Sequence, residues 1–187
     1  MDLSSTGQLS GTSNVVINGS TLLLGGTTGV GKVNPIDTNS VLTMNGGTLS
    51  MGGLTGTTRT ASQTFASLTL TGNSTIDFSS LTGTSSLTFG SITMSGNTLD
   101  IFNYDQNGLT THLYDSAGPS DLGVNLANIN FFSDNGSSFL GTGQFNGNEI
   151  IAVPEPGVIV SALLLLGCLL FPQRGRLARM IARRFTS

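Results

Sequence analysis

Val41-Leu42-Thr43-Met44-Asn45-Gly46-Gly47-Thr48-Leu49-Ser50-Met51 decides the fold, because the chain repeats its pattern on both sides. Before it stands Asn14-Val15-Val16-Ile17-Asn18-Gly19-Ser20-Thr21-Leu22-Leu23-Leu24. After it come Ser67-Leu68-Thr69-Leu70-Thr71-Gly72-Asn73-Ser74-Thr75-Ile76-Asp77-Phe78 and Ser91-Ile92-Thr93-Met94-Ser95-Gly96-Asn97-Thr98-Leu99-Asp100-Ile101. The turn glycines Gly19, Gly46, Gly72 and Gly96 are 27, 26 and 24 residues apart. Self-similarity at such a period marks a solenoid, in which each repeat hides its apolar face only against its neighbours.

Within each copy, two short stretches alternate apolar and polar residues around a Gly-Asn type turn. Leu68 and Leu70, Ile76 and Phe78, Ile92 and Met94, and Leu99 and Ile101 are separated by Thr, Ser or Asp, the period of two expected of strands with one buried face. The body is therefore all-β. Asn-Gly between such stretches is also a strong hairpin signal, which leaves an antiparallel β-sandwich of stacked hairpins as the alternative to a parallel β-helix or β-solenoid. The solenoid accounts for both the period and the abundance of Thr, Ser and Asn, which stack as ladders from coil to coil. Over residues 1–103 the repeat is legible. Over 104–152 it dissolves into Asn130-Phe131-Phe132, Ser138-Phe139-Leu140 and Glu149-Ile150-Ile151, read as a β-rich cap that covers the open end of the coils. The "GGTL" and "NGSTLLL" wording resembles the autotransporter-associated β-strand repeat of secreted adhesin passenger domains, a resemblance that implies a right-handed β-helix on the cell surface.

Charge divides the chain sharply. Up to residue 173, Lys32 and Arg59 face ten acidic residues, a net of −8; five arginines beyond it bring the total to −3. Phosphate binding needs clustered cations, so nucleic acid is not an expected partner. Only 9% of residues are charged while 37% are hydrophobic, a balance that favours folding over disorder. The one cysteine, Cys168, lies outside the body, which must hold together without a disulfide.

Residues 153–187 read as a separate module. Pro154-Glu155-Pro156 leads into Gly157-Val-Ile-Val-Ser-Ala-Leu-Leu-Leu-Leu-Gly-Cys-Leu-Leu-Phe171, 15 residues without a charge, followed by Arg174, Arg176, Arg179, Arg183 and Arg184. As a helix the apolar run is roughly 22 Å long, short for a bilayer core of about 30 Å, and arginine stems and Pro172 lengthen it by snorkelling. A single transmembrane helix over 157–172 is expected. The arginines keep the tail cytoplasmic and export the body. Motif, short apolar helix and basic terminus in this order resemble the PEP-CTERM sorting domain of Gram-negative bacteria. The resemblance implies an exosortase, an integral-membrane protease that cuts near Pro154, Glu155 and Pro156, transient anchoring in the inner membrane, and delivery to the cell surface or extracellular matrix. Such proteins carry an N-terminal secretory signal, whereas MDLSSTGQLSGT has neither a basic nor an apolar region; the expectation is a fragment or a misplaced start.

Catalytic signals are weak. Gly26-Thr27-Thr28-Gly29-Val30-Gly31-Lys32 fits seven positions of a phosphate-binding loop, but Val33 stands where magnesium needs Ser or Thr, and Asn34-Pro35 prevents a helix from opening there. Asp100, Asp105, Asp115 and Asp121 with His112 would have to converge to serve a β-helix carbohydrate-active enzyme of the polysaccharide lyase kind. No Lys or Arg occurs between Arg59 and Arg174 to handle a proton beside them. Aspartates scattered through turns ordinarily cap backbone groups. The sequons at Asn18, Asn73 and Asn135 are read as chance in so Thr- and Asn-rich a chain. No cofactor, metal site or enzymatic activity is expected. The expected function is non-catalytic: adhesion or interaction with exopolysaccharide or a cell-surface glycan. Its rivals are the carbohydrate-active enzyme and an envelope protein permanently tail-anchored in the lipid bilayer.

Overall fold

The computed structural model describes residues 9–24, 34–52, 61–79, 83–105, 107 and 110–153. They form a β-solenoid of about four turns. Its first coil holds β1 (Asn14–Asn18) and β2 (Thr21–Leu23), and the second β3 (Val41–Asn45), β4 (Thr48–Ser50) and β5 (Ala61–Phe65). The third holds β6 (Ser67–Leu70), β7 (Ser74–Asp77) and β8 (Ser85–Phe89); the fourth β9 (Ile92–Thr93), β10 (Leu99–Phe102) and β11 (Thr111–Asp115). β12 (Ile129–Phe132) opens a fifth coil, which ends in the hairpin β13 (Phe139–Asn146) and β14 (Glu149–Val153).

Three faces result. The first is β1-β3-β6-β9, the second β2-β4-β7-β10-β12, the third β5-β8-β11, and every pairing within a face is parallel. The antiparallel β-sandwich is thereby excluded. β1 and β2, on either side of the Gly19 turn, lie in different sheets, so the turn that looks like a hairpin is a corner. Gly19, Gly46 and Gly96 take φ of 58°, 71° and 80°, a left-handed backbone that suits glycine. Gly72 meets a different demand: a Cβ there would come within 2.6 Å of Asn45 Oδ1.

Register explains the core. Leu22, Leu49, Ile76, Ile101 and Phe131 stand in register on the second face, each opposite the next, and all are buried. Leu42, Leu68 and Ile92 do the same on the first face, with half-buried Val15 at the end of the row. On the third face Phe65 stacks on Phe89, centroids 5.8 Å apart and planes 16° from parallel. A buried side chain here is covered above, below and across, so each apolar rung removes area from water in three directions. Polar residues also enter the interior, Gln63 the largest of them. Its side-chain amide is buried and pairs with the Ile36 backbone, Oε1 accepting from N–H at 3.0 Å and Nε2 donating to C=O at 3.1 Å.

The parallel ladder runs further than the repeat wording. β11 joins β8 and β12 joins β10, although their sequences no longer match the repeat. Only then does the chain reverse: β13 pairs antiparallel with β12, β14 with β13, and β14 with β11 through Tyr114 and Glu149. The hairpin thus joins the second and third faces into one ten-stranded sheet and covers the end of the core. No helix among the described residues is long and apolar enough to cross a membrane. The expected helix over 157–172 lies outside the described residues.

Candidate functional site

Outward positions of the coils stack as ladders, as the parallel register requires. Thr21, Thr48, Thr75, Asp100 and Asn130 form one column on the second face, and Val16, Thr43, Thr69 and Thr93 another on the first. Amides and carboxylates close many of the links. Asn45 Nδ2 donates to Asn18 Oδ1 at 3.0 Å, and Asn130 Nδ2 to Asp100 Oδ1 at 2.8 Å. Asn103 Nδ2 donates to Asp77 Oδ1 at 2.7 Å and to Asn135 Oδ1 at 2.8 Å. The outer surface is therefore a regular array of small polar groups. Among the described residues aromatics enter it near the end, where Phe102, Phe132 and Phe139 meet edge to face at 5.4 and 5.5 Å.

Asp115 and Asp121 are neighbours, and the other acidic candidates fall in separate places. Asp100 is on the second face. Asp105 holds its own turn, accepting from Asn107 N–H, Thr110 N–H and Thr110 Oγ1. Asp121 caps the edge of the first face, Oδ2 accepting from Ile92 N–H at 2.7 Å and Oδ1 from Gly123 N–H at 2.8 Å. His112, on the third face, meets Glu149 at 2.7 Å between Nδ1 and Oε1 and stacks on Tyr114. That pair, 37 residues apart in the chain, ties the closing hairpin to the coil beneath it. Local spacing offered no sign of it. Among the described residues no three His, Cys, Asp or Glu side chains come within reach of one metal ion.

Asp115 is the unusual member. It ends β11 on the inward rung above Phe89 and is fully buried. Oδ1 accepts from Ala117 N–H at 3.0 Å, while Oδ2 is buried with no hydrogen-bond partner. Burial, reinforced by the neighbouring Asp121 carboxylate, pushes its pKa up to about 6. The turn chemistry was legible in the sequence; the burial was not.

A shallow depression is lined by Ser10, Asn34, Ile36, Asp37 and Thr38, and the glycine-rich stretch at 26–32 lies outside the described residues. Asp37 itself is committed to Gly11 N–H and Asn39, and these bonds hold its pKa below the usual carboxylate value. The sequon amides are likewise engaged in the fold: Asn18 by Asn45, Asn135 by Asn103, and Asn73 by Thr98 N–H. Pro154, Glu155 and Pro156, and Arg174, Arg176, Arg179, Arg183 and Arg184, lie outside the described residues. No protein-family model, curated protein or solved structure matches the chain.

Proposed function

We propose that the chain is an exported, non-catalytic protein of the bacterial cell surface or extracellular matrix. Its C-terminal segment directs sorting, and its β-solenoid meets exopolysaccharide or a cell-surface glycan. One observation carries the reading: Pro154-Glu155-Pro156, an uncharged run to Phe171 and five arginines follow one another in the order of an exosortase-processed sorting signal. The apolar run anchors the precursor in the inner membrane, the arginines hold the tail on the cytoplasmic side, and an exosortase-type protease releases the body near the motif. A rigid body whose outer rungs are Thr, Ser and Asn supports the second half of the proposal, since such an array exchanges hydrogen bonds readily with hydroxylated polymers.

The intact mass of the protein from host envelope and medium tests the first half. A mature form lacking everything after the 154–156 region, seen only when the exosortase is functional and lost on replacing all three residues by alanine, is the expected result. A full-length membrane form in both backgrounds would make the segment a permanent tail anchor and overturn the proposal.

A further inference from the structure

The tip of the closing hairpin docks on one corner of the coil beneath it, residues 115–121, where the chain leaves the third face for the edge of the first. Asp115 N–H donates to Asn148 C=O at 2.9 Å, and Asn148 Nδ2 donates to Ser116 C=O at 3.2 Å. The approach is close: a Cβ on Gly118 would come within 2.5 Å of Asn148 Oδ1. At the other end of the corner Asp121 N–H donates to Gly118 C=O, and the Asp121 carboxylate holds Ile92 N–H and Gly123 N–H. The corner therefore carries a carboxyl at each end, and the short 3-10 turn Gly118–Ser120 folds the two within reach of a side-chain hydrogen bond.

These carboxyls are bonded unequally. Asp121 accepts one N–H on each oxygen, the bonding that suits an ionised group. Asp115 is the one buried carboxyl among the described residues, with Oδ1 on Ala117 N–H and Oδ2 without a donor. Two ionised carboxylates are acceptors only and cannot bond each other, and a bare charged oxygen in the interior is costly. Among the described residues no Lys or Arg stands by to neutralise it. A proton on Asp115 Oδ2 removes both costs, because a carboxylic O–H donates to a spare lone pair of Asp121. The other titratable groups of this end are His112 and Tyr114 on β11, Glu149 on β14, and Tyr104 and Asp105 ahead of β11; the charge that acts on Asp115 is that of Asp121. His112 Nδ1 and Glu149 Oε1, 2.7 Å apart, make a second fastening, and protonation of the ring strengthens it in the same direction of pH.

We infer that the closing hairpin is an acid-fastened latch: an O–H bond from Asp115 to Asp121 holds the corner on which its tip docks, the His112 to Glu149 pair supports it, and loss of the Asp115 proton frees the tip while the coils stay folded. The direction follows from burial, which together with the Asp121 charge raises the Asp115 pKa from 3.8 to about 6. The bond is complete below the unfolded value and is lost as pH rises through the folded one. Above it, two carboxylates repel each other directly beneath Asn148.

Hydrogen exchange of the full chain, read by mass spectrometry as protection relative to intrinsic rates, tests the latch at about pH 4.5 and about pH 7.5. Protection of β14 and of residues 111–117 is expected to fall by on the order of tenfold at the higher pH, while β3 and β6 remain protected at both. Asp115→Asn places a permanent donor where the O–H stands and is expected to remove most of that fall; Asp115→Ala, which has none, is expected to leave the tip poorly protected at both pH values. No fall in the wild type, loss of protection by hairpin and coils together, or a fall undiminished in Asp115→Asn would overturn the inference. Recovery of the wild-type tip at the higher pH on adding calcium would also overturn it, assigning the bare oxygen to a cation. Circular dichroism checks that the variants fold, and should they not, the wild-type series with and without calcium decides.

Discussion

The coils and the hairpin that closes them are both β-structure, yet they are held by different forces. On the first two faces of the coils apolar inward side chains sit between like neighbours, as Ile76 does between Leu49 and Ile101, and parallel pairing repeats the same contact rung after rung. The hairpin has no repeat to lean on. β13 extends the second face, but β14 reaches the third through the single Tyr114 to Glu149 pairing. Around it cluster particular bonds: His112 to Glu149, Asp115 N–H to Asn148 C=O, and Asn148 Nδ2 to Ser116 C=O. The difference teaches that stability in the coils is distributed and close to additive, whereas closure depends on a few named groups.

Phe89→Ala attacks the distributed side. It leaves a cavity between Phe65 and the Asp115 rung and is expected to cost about 3–5 kcal/mol, read as a large drop in the denaturant midpoint. A loss under about 1 kcal/mol would mean that the coils are not packed as one core.

Asp115 sits where the two regimes meet, and its effect follows pH. Its folded pKa is raised above its ordinary value of 3.8 to about 6, so the folded state holds a proton that the unfolded chain releases between those values. Its contribution is greatest below about pH 4, declines as pH rises toward 6, and stays lost above that. Asp115→Asn removes the decline and is expected to raise stability at pH 7 by on the order of 1–2 kcal/mol, measured by denaturation at pH 4 and pH 7. A parallel pH dependence in both proteins would show that the carboxyl does not titrate there.

Gly46→Ala probes a coil corner. With φ at 71°, the substitution places a Cβ in left-handed backbone at an expected cost of about 1–2 kcal/mol in thermal melts. An unchanged melt would show the corner free to relax.

Glu149→Gln is the gentlest test and the most local. His112 and Glu149 keep 21% and 19% of their side-chain surface, so solvent screening limits the loss to about 0.5–1 kcal/mol. Hydrogen exchange is expected to speed up in β14 and β11 while β3 and β6 stay protected; uniform acceleration would make the hairpin part of one cooperative unit with the coils.

The same contrast governs what the sequence disclosed. Leu49 and Ile76 announce themselves because apolar residues recur in each copy of the repeat, but the wording matches Leu99 to Leu49 whereas the register sets Ile101 opposite Ile76. The third face stayed hidden because its inward rungs include Gln63, Ser85 and Thr111, which periodicity of hydrophobic residues does not detect. β11 and β12 continue ladders whose wording they no longer share, since register is set by backbone pairing and inward volume rather than by identity. Asp115 and Asp121 read as turn residues, and both do cap turns; the burial of Asp115 arises from tertiary stacking on Phe89. Asn45-Gly46 signalled a hairpin for a sound local reason, and the neighbouring coils overrode it by offering both flanking strands parallel partners.

Because closure is confined to β13 and β14 and their footing on β11 and β12, length is a free variable of this architecture. An in-frame duplication spanning residues 41–66 would insert one more rung into every face and leave the terminal fastening untouched. Genetic slippage in repetitive DNA therefore has a physical counterpart here, a rod whose reach lengthens by about 4.8 Å per added coil without any redesign of its end.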